Sequence, residues 1–503
     1  MDAMIGAYGS SHLSEGAAHV VYGTNTSEAY DASFLDLGAG GVGGLDGVDG
    51  FTLTGVAVER KLYADLLEDT LDRQLSAQYT GNPLSSAGDV NGDGFGDILV
   101  GSPGAEGRTY LVFGGVDLPA AVNLLASDDT FGGSEGVVVF KGASSDEAGY
   151  SCSGGFDING DGFSDFIIGA PSGGTAGEFN GEAYVVFGQE SLADFDTVVL
   201  DTDLGGVNGF NIIGPSGYAY AGSAVAGLGD VNGDGYDDVV VGAFGGELDG
   251  RYRAGAAYVV FGRAEGDFAA SYDLGSAAVI DGESAASFLG LRAEDALGIG
   301  VGPAGDLNGD GVADMWVGAP TSDSATTLEN AGSAFVVFGW KDGGEGTAWG
   351  KSVDLSTLDG SNGFAILGST AGGHFGWTGA ANVDMNNDGV SDLLIGAFLV
   401  PGLYTINGDD GGPNDDSTAF VLAIVSGCLG CFFCVVREGR VWLAKREAKA
   451  EAERLLNKGE RQGSPEHGKM KPTEEQPSKM QTQASMRNIN EGCKVIEPEQ
   501  ENK

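Results

Sequence analysis

The chain has 503 residues, with 73 Asp and Glu against 25 Lys and Arg, a formal net charge of −48, and it contains 90 glycines against 13 prolines. A field of this sign repels phosphate backbones and anionic lipid headgroups, so no nucleic acid partner is expected and divalent cations are favoured. The glycine content indicates many tight turns, which suits a repetitive all-β fold better than a helical one.

The negative charge is concentrated in the first part of the chain. Residues 1–436 contain 11 Lys and Arg against 61 Asp and Glu, a formal charge of −50. Solubility in a salty medium would account for an acidic surface, but much of this charge recurs at fixed loop positions, which solubility alone does not require. Cys152 is the only cysteine before Cys428, so no internal disulfide is expected in this part.

The first predicted elements are two short strands in residues 2–23, DAMIGAYGSSHLSEGAAHVVYG. The same pattern follows later at DILVG and TYLVFG, and the match places Asp2 where Asp97 stands in the next copy. The match predicts that the chain starts inside a repeat. We expect a truncated start, with the missing strands and a signal peptide encoded upstream.

Residues 57–75, AVERKLYADLLEDTLDRQL, interrupt this pattern with strong helix formers and with leucines at positions 62, 66, 71 and 75. Their spacing predicts a helical insertion between two repeats. Such a leucine stripe indicates packing against the rest of the domain more often than it indicates a partner-binding face.

An acidic loop then occurs five times at nearly regular intervals, beginning at Asp89, Asp157, Asp230, Asp306 and Asp384. Each loop leads into a short apolar strand, such as DILVG or DVVVG, and a second strand follows, such as TYLVFG or AYVVFG. A third strand recurs as GFTLTG, GFNIIG and GFAILG. With the strand before the loop, each repeat holds four strands, which predicts propeller blades rather than the shorter rungs of a solenoid.

Two further motifs make a family resemblance specific. The first is Phe375-Gly376, with Leu297-Gly298 and Tyr79, Tyr150 and Tyr220 as looser copies; the second is GSP, GAP or GAF at Gly101, Gly169, Gly242, Gly318 and Gly396. With the acidic loop, these motifs resemble the FG-GAP repeats of the integrin α-subunit propeller. The resemblance implies an all-β fold, a β-propeller of six to seven four-stranded blades over residues 1–410.

The loop DVNGDGFGD has the side chains of a calcium site. Oxygen ligands are expected at its first, third, fifth and ninth positions, with the carbonyl of Phe95 at the seventh. An EF-hand would need a Glu at position twelve, where this chain has Val or Ile, so the bidentate role passes to the ninth residue. About five Ca²⁺ sites are therefore predicted, with the ligands Asp89, Asn91, Asp93 and Asp97; Asp157, Asn159, Asp161 and Asp165; Asp230, Asn232, Asp234 and Asp238; Asp306, Asn308, Asp310 and Asp314; and Asp384, Asn386, Asp388 and Asp392.

Residues 418–436, TAFVLAIVSGCLGCFFCVV, contain no charge and as a helix would measure about 28 Å, close to the thickness of a bilayer core. Basic residues follow from Arg437, so the positive-inside rule predicts a transmembrane helix with the repeats outside the cell. Alternatively, AFVLAIVSG is a strand of the sixth blade, since it aligns with AFVVFG at Ala334. Residues 437–503 are expected to form a charged helix and a disordered cytosolic tail.

No catalytic residue is predicted, because His12, His19, His374 and His467 do not cluster and no nucleophile with a base stands out, so the chain is not expected to be an enzyme. The integrin α resemblance implies a calcium-binding propeller at the cell surface that mediates adhesion by binding an extracellular protein or glycan. Pairing with an integrin β-like subunit has little support, since the membrane-proximal motif is only echoed by GCFFCVVREGR. The alternative is an accessory propeller of a secreted enzyme, as in the glycosylphosphatidylinositol-specific phospholipases.

Overall fold

The computed structural model describes residues 3–7, 17–21, 50–54, 83–104, 107–115, 121–124, 136–143, 145–174, 179–194, 197–247, 250–323, 328–341, 349–383, 391–398, 403–406 and 422–424. The chain divides into two compact units, Met1–Gly439 and Arg440–Lys503, and every described residue belongs to the first. The helical insertion predicted for residues 57–75 and most of the fifth acidic loop, residues 384–390, lie outside the described residues.

The regular secondary structure of the described residues is almost entirely β-strand, as the repeat pattern predicts. In chain order the strands are β1 Ala3–Ala7, β2 Ala17–Val21, β3 Gly50–Thr54, β4 Leu84–Gly88, β5 Asp97–Ser102, β6 Arg108–Val112, β7 Ala121–Asn123, β8 Val137–Lys141, β9 Ser151–Phe156, β10 Asp165–Ala170, β11 Glu182–Val186, β12 Thr197–Val199, β13 Gly209–Ile213, β14 Ala224–Gly229, β15 Asp238–Ala243, β16 Ala256–Val260, β17 Ser271–Asp273, β18 Ala285–Leu289, β19 Gly300–Gly305, β20 Asp314–Ala319, β21 Ser333–Val337, β22 Ser352–Val353, β23 Gly363–Leu367, β24 Phe375–Val383, β25 Asp392–Ala397, β26 Leu403–Ile406 and β27 Leu422–Ile424. A single helical turn, α1 Leu200–Asp203, and two 3-10 turns, Glu190–Asp194 and Leu355–Thr357, complete the described elements.

The strands form separate sheets that follow one another along the chain. Within the described residues there are six, with strand orders β1-β2-β3-β7, β12-β8-β6-β5-β4, β17-β13-β11-β10-β9, β14-β15-β16-β18-β22, β19-β20-β21-β23 and β24-β25-β26-β27. In the third sheet, for example, β9, β10, β11 and β13 pair in antiparallel fashion. This arrangement of four consecutive antiparallel strands confirms the predicted repeat and is consistent with FG-GAP blades.

A short fifth strand extends several sheets, and the sequence did not predict it. In each case it lies between the third and fourth strands of the following repeat and pairs in parallel with the fourth strand of the preceding one. Thus Thr197–Val199 pairs with Val139–Lys141, and Ser271–Asp273 pairs with Asn211–Ile213. These strands link neighbouring sheets by backbone hydrogen bonds in addition to side-chain packing.

The hydrophobic core lies between successive sheets. Leu99 and Phe140 of the second sheet pack with Phe166 and Tyr184 of the third, and the rings of Phe140 and Phe166 meet edge to face at 5.1 Å. The second strand of the third sheet, Asp165–Ala170, is buried along its whole length. A strand covered on both faces needs a continuous apolar run, and this is why the DFIIG pattern does not alternate.

The glycines of the two short motifs allow neighbouring sheets to approach closely. Gly222 has a φ of +83° and donates its N–H to the carbonyl of Gly242 at 3.0 Å. A Cβ atom on Gly169 of the preceding sheet would collide with the carbonyl oxygen of Gly222. A side chain at either position would therefore disturb the contact between sheets.

One detail of the predicted motif is wrong. Tyr220 was expected at the Phe position of the motif, but in the structure that position belongs to Ala221, directly before Gly222. Similarly, Ala148 takes the place expected for Tyr150, whose side chain is 50% exposed. The two tyrosines lie on the loops around the motif and not at its Phe position, because the glycine that donates the inter-strand hydrogen bond sets the register.

The last described strand falls inside the segment for which a transmembrane helix was predicted. Leu422–Ile424 pairs with Leu403–Thr405 in antiparallel fashion and closes the sixth sheet, so this sheet extends beyond residue 410. At these three residues the structure has the strand that the alternative interpretation expects. The rest of residues 418–436 lies outside the described part of the chain, and among the described residues no helix is long and apolar enough to span a bilayer.

Candidate metal centres

Four described acidic loops, residues 89–97, 157–165, 230–238 and 306–314, connect the first and second strands of successive sheets. Each loop folds around the carboxylate of its first residue. In the second loop, Oδ1 of Asp157 accepts the N–H of Asp161 at 3.2 Å and Oδ2 accepts the N–H of Gly162 at 3.0 Å. The same pair of bonds is present in the other three loops. The first Asp therefore shapes the turn through hydrogen bonds within the loop itself.

The third residue, an Asn in every described loop, bridges to the fifth. The Asn159 side chain accepts the N–H of Asp161 through Oδ1 at 2.9 Å and donates through Nδ2 to Oδ2 of Asp161 at 2.9 Å. Equivalent bonds occur in the other loops. An Asp at this position would lack the donor and would add another negative charge, which explains the choice of Asn.

The ninth residue of each loop is a buried Asp with two backbone donors. Asp165 is 0% exposed, and its carboxylate accepts the N–H of Ile158 at 2.9 Å and that of Gly188 at 2.8 Å. Asp97, Asp238 and Asp314 make the same two bonds, to the second loop residue and to a glycine after the third strand. This carboxylate joins the loop to the end of the third strand of its own sheet.

The glycine partners Gly114, Gly188, Gly262 and Gly339 are functional residues that the sequence analysis did not single out. Each is the glycine of a repeated FG dipeptide at the end of the third strand, a signal that was visible in TYLVFG and AYVVFG. A Cβ atom on Gly188 would collide with the carbonyl oxygen of Ser164. The missing side chain lets the backbone N–H reach the carboxylate of Asp165.

Burial raises the pKa of Asp97 to about 6, that of Asp314 to about 7 and that of Asp165 to about 8. The pKa of Asp238 is also raised well above its ordinary value, by burial first of all. The two backbone donors lower each pKa, whereas the charges of the fifth and first loop residues raise it. The ionised form of the ninth carboxylate is therefore disfavoured by burial, and a nearby positive charge would stabilise it.

The donor chemistry fits a calcium ion. Each loop offers three carboxylates and an amide oxygen within its nine positions, and each carboxylate oxygen that accepts one N–H retains a further lone pair. As the loops stand in the described residues, no three Asp, Glu, His or Cys side chains are grouped closely enough to hold a metal ion. The four predicted ligands of each described loop do lie in one turn, held by its own hydrogen bonds. Of the fifth set, only Asp392 is described, and it is buried at the start of β25 like its counterparts.

Comparison with known proteins agrees with this geometry. The FG-GAP repeat model matches residues 84–112, 148–186 and 221–260, which hold three of the four described loops. The fourth loop has the same hydrogen bonds. The chain therefore carries FG-GAP repeats.

Several curated proteins are similar over part of the chain. Phosphatidylinositol-glycan-specific phospholipase D of Bos taurus is 34% identical over 176 residues, which is 34% of this chain and 18% of that protein. Integrin alpha-V of Gallus gallus is 30% identical over 277 residues, 53% of this chain and 23% of that protein. Integrin alpha-IIb of Mus musculus is 29% identical over 219 residues, 41% of this chain and 18% of that protein. The chain is thus distantly homologous to both groups, but it covers less than a quarter of the length of these relatives.

Proposed function

We propose that the chain is a calcium-binding β-propeller of a cell-surface protein, integrin-α-like, that recognises an extracellular protein or glycan. The observation that carries the proposal is the repetition of one acidic loop, with the same internal hydrogen bonds, in four successive sheets. Six to seven such sheets arranged around an axis would form the propeller, in which every blade is covered by two neighbours.

In the proposed sites, the first, third, fifth and ninth side chains hold Ca²⁺ together with the carbonyl of the seventh residue. Two carboxylates held about 4 Å apart repel by roughly 4 kcal/mol at an effective dielectric constant near 20. The cation compensates this repulsion and supplies no reaction chemistry. The loop residues position the first and second strands relative to each other, so calcium would act as a structural staple for each blade.

The opposite end of the sheets offers a surface for ligand recognition. In an antiparallel sheet, the loops that join strands two and three, and those that lead to the next sheet, lie at the other end from the acidic loops. There Phe179 is 42% exposed and Tyr218 is 58% exposed, Tyr220 stacks on Phe179 at 6.1 Å, and Phe244 stacks on Tyr220 at 5.3 Å. Two of these aromatic side chains are exposed and the other two are half-buried, and aromatic side chains grouped in this way are typical of binding surfaces. We call these four residues the aromatic patch.

Isothermal titration calorimetry of the full chain with Ca²⁺ tests the cation sites. We expect uptake of about five ions, with Mg²⁺ binding far more weakly, because flexible all-oxygen loops favour the larger cation. Asp161→Asn should remove one ion from the stoichiometry. Glu294→Gln, which removes the same charge at an exposed position outside the loops, should leave it unchanged. An absence of Ca²⁺ uptake by the unaltered chain would overturn the proposal.

Arrays of glycans and extracellular-matrix proteins test ligand recognition. In the presence of Ca²⁺ the chain should bind to a subset of the arrayed glycans or proteins. EGTA should weaken this binding, because removal of Ca²⁺ makes the blades less rigid. The double variant Phe179→Ala/Tyr218→Ala should reduce the affinity for the bound ligand at least tenfold, which corresponds to about 1.4 kcal/mol of binding free energy. The control Val207→Ala alters a side chain that is 82% exposed and outside the patch, and it should bind normally. Equal binding by the double variant and the control would contradict a role for the patch.

The second candidate function is an accessory propeller of a secreted enzyme. The similarity to phosphatidylinositol-glycan-specific phospholipase D favours it. The transcript upstream of Met1 discriminates between the two candidates. A signal peptide followed by a further half-repeat supports the surface receptor, whereas a His/Asp-rich hydrolase domain supports the enzyme.

A further inference from the structure

The acidic loops of successive sheets are bonded directly to one another. The eighth residue of each later loop donates its N–H to the carbonyl of the first residue of the preceding loop: Ser164 to Asp89 at 3.0 Å, Asp237 to Asp157 at 3.1 Å, and Ala313 to Asp230 at 3.2 Å. The first residue carries one proposed cation ligand, and the eighth lies between the seventh and ninth residues, which carry two others. A backbone hydrogen bond therefore joins the ligand-bearing segments of neighbouring loops.

At two of the three junctions the side chain of the eighth residue completes a second bond in the other direction. Oγ of Ser164 accepts the N–H of Asp89 at 3.2 Å, and Oδ2 of Asp237 accepts the N–H of Asp157 at 2.9 Å. The third junction has Ala313 at this position, and alanine has no side-chain acceptor. Among the described loops there are thus two doubly bonded junctions and one singly bonded junction.

An aromatic contact distinguishes the same two junctions. A Cβ atom on Gly92 would lie 2.7 Å from the ring of Phe163, and one on Gly160 would lie 2.6 Å from the ring of Tyr236. Each of these rings belongs to the seventh residue of the later loop and packs on the fourth residue of the preceding loop. At the third junction, the corresponding glycine, Gly233, faces Lys341 instead. Ordering of one loop therefore restricts the neighbouring loop most strongly at the first two junctions.

We infer that Ser164 and Asp237 are positioning residues that couple calcium binding between neighbouring loops. An ion in loop 157–165 fixes Ser164 and so orients Asp89 of loop 89–97, and an ion in loop 230–238 fixes Asp237 and so orients Asp157. By thermodynamic linkage each effect is reciprocal. Loops 230–238 and 306–314, which share only the backbone bond, are coupled less. The inference rests on the proposed calcium binding and adds cooperativity between specified pairs of loops.

Hydrogen–deuterium exchange of the full chain, followed for each loop peptide as a function of free Ca²⁺, measures the coupling. The variant Asp234→Asn replaces a carboxylate ligand of loop 230–238 by a neutral amide and so weakens calcium binding in that loop. It should move the Ca²⁺ midpoint of loop 157–165 upward by roughly fivefold or more, a typical allosteric coupling. The midpoint of loop 306–314 should move less. An unchanged midpoint at loop 157–165 overturns the coupling while leaving calcium binding intact.

Substitutions of the eighth residue separate positioning from general stability. Asp237→Ala should abolish the response of loop 157–165 to Asp234→Asn, whereas Asp237→Asn, which keeps an oxygen acceptor, should retain it. Ala313→Ser should strengthen the coupling of loops 230–238 and 306–314, since a Ser side chain there would face Gly229 as Ser164 faces Gly88. If Asp237→Ala does not fold, the Ala313→Ser variant provides the test. An unchanged coupling between loops 230–238 and 306–314 in that variant would overturn the inference. Should no loop respond to Ca²⁺ in any variant, the proposed function fails together with it.

Discussion

Removal of calcium with EGTA is expected to lower the free energy of unfolding of the chain by roughly 11 kcal/mol, counting only the four described loops. At a free Ca²⁺ concentration a hundredfold above the dissociation constant, each occupied site contributes about 2.7 kcal/mol to the folded state. Single domains are commonly stable by about 5–15 kcal/mol in total, so the loss would leave little net stability. Differential scanning calorimetry with and without EGTA measures the change.

The control for this experiment is replacement of Ca²⁺ by Mg²⁺ after chelation, which should restore little stability because Mg²⁺ requires a tighter octahedral site. The size of the expected effect agrees with the cysteine content. Cys152 is the only cysteine before Cys428, so a disulfide cannot stabilise the sheets from within this part of the chain. A melting temperature that does not change on chelation would refute calcium as the staple.

Asp165→Ala is expected to lower the free energy of unfolding by about 2–6 kcal/mol even in EGTA. The substitution leaves the N–H groups of Ile158 and Gly188 without their acceptor in a buried place, and each unsatisfied buried donor costs about 1–3 kcal/mol. Urea denaturation in EGTA, followed by circular dichroism, measures the loss. This result would show that the ninth residue supports the fold independently of the cation.

The matched control is Asp161→Ala in the same loop, because Asp161 is exposed. Its removal should abolish calcium binding at that loop while changing the stability in EGTA much less than Asp165→Ala does. Equal destabilisation by the two variants in EGTA would contradict the separate structural role of Asp165. Equal stability of Asp165→Ala and the unaltered chain would contradict it as well.

The positions of the second and third strands could be predicted from the sequence, since both carry local patterns. Both strands begin with an acidic residue and continue with apolar, β-branched and aromatic residues: Asp165–Ala170 starts at the last residue of the acidic loop, and Glu182–Val186 is followed directly by Phe187-Gly188. The first strand was harder to recognise. Ser151–Phe156, SCSGGF, is rich in serine and glycine because it packs closely against the neighbouring sheet: a Cβ atom on Gly154 would lie 2.8 Å from the Cα of Ala87.

The sequence by itself determined the repeat, the all-β class and the acidic loops with their oxygen donors, because these depend on residues that are close to one another in the chain. Only the tertiary structure decided the features that join one repeat to the next: the short parallel fifth strands, the glycine contacts between sheets, and the bonds of Ser164 and Asp237 to the preceding loop. The partners in these contacts belong to different repeats. Local patterning specifies which residues form a strand or a turn, whereas contacts between repeats arise only when the sheets are packed against each other.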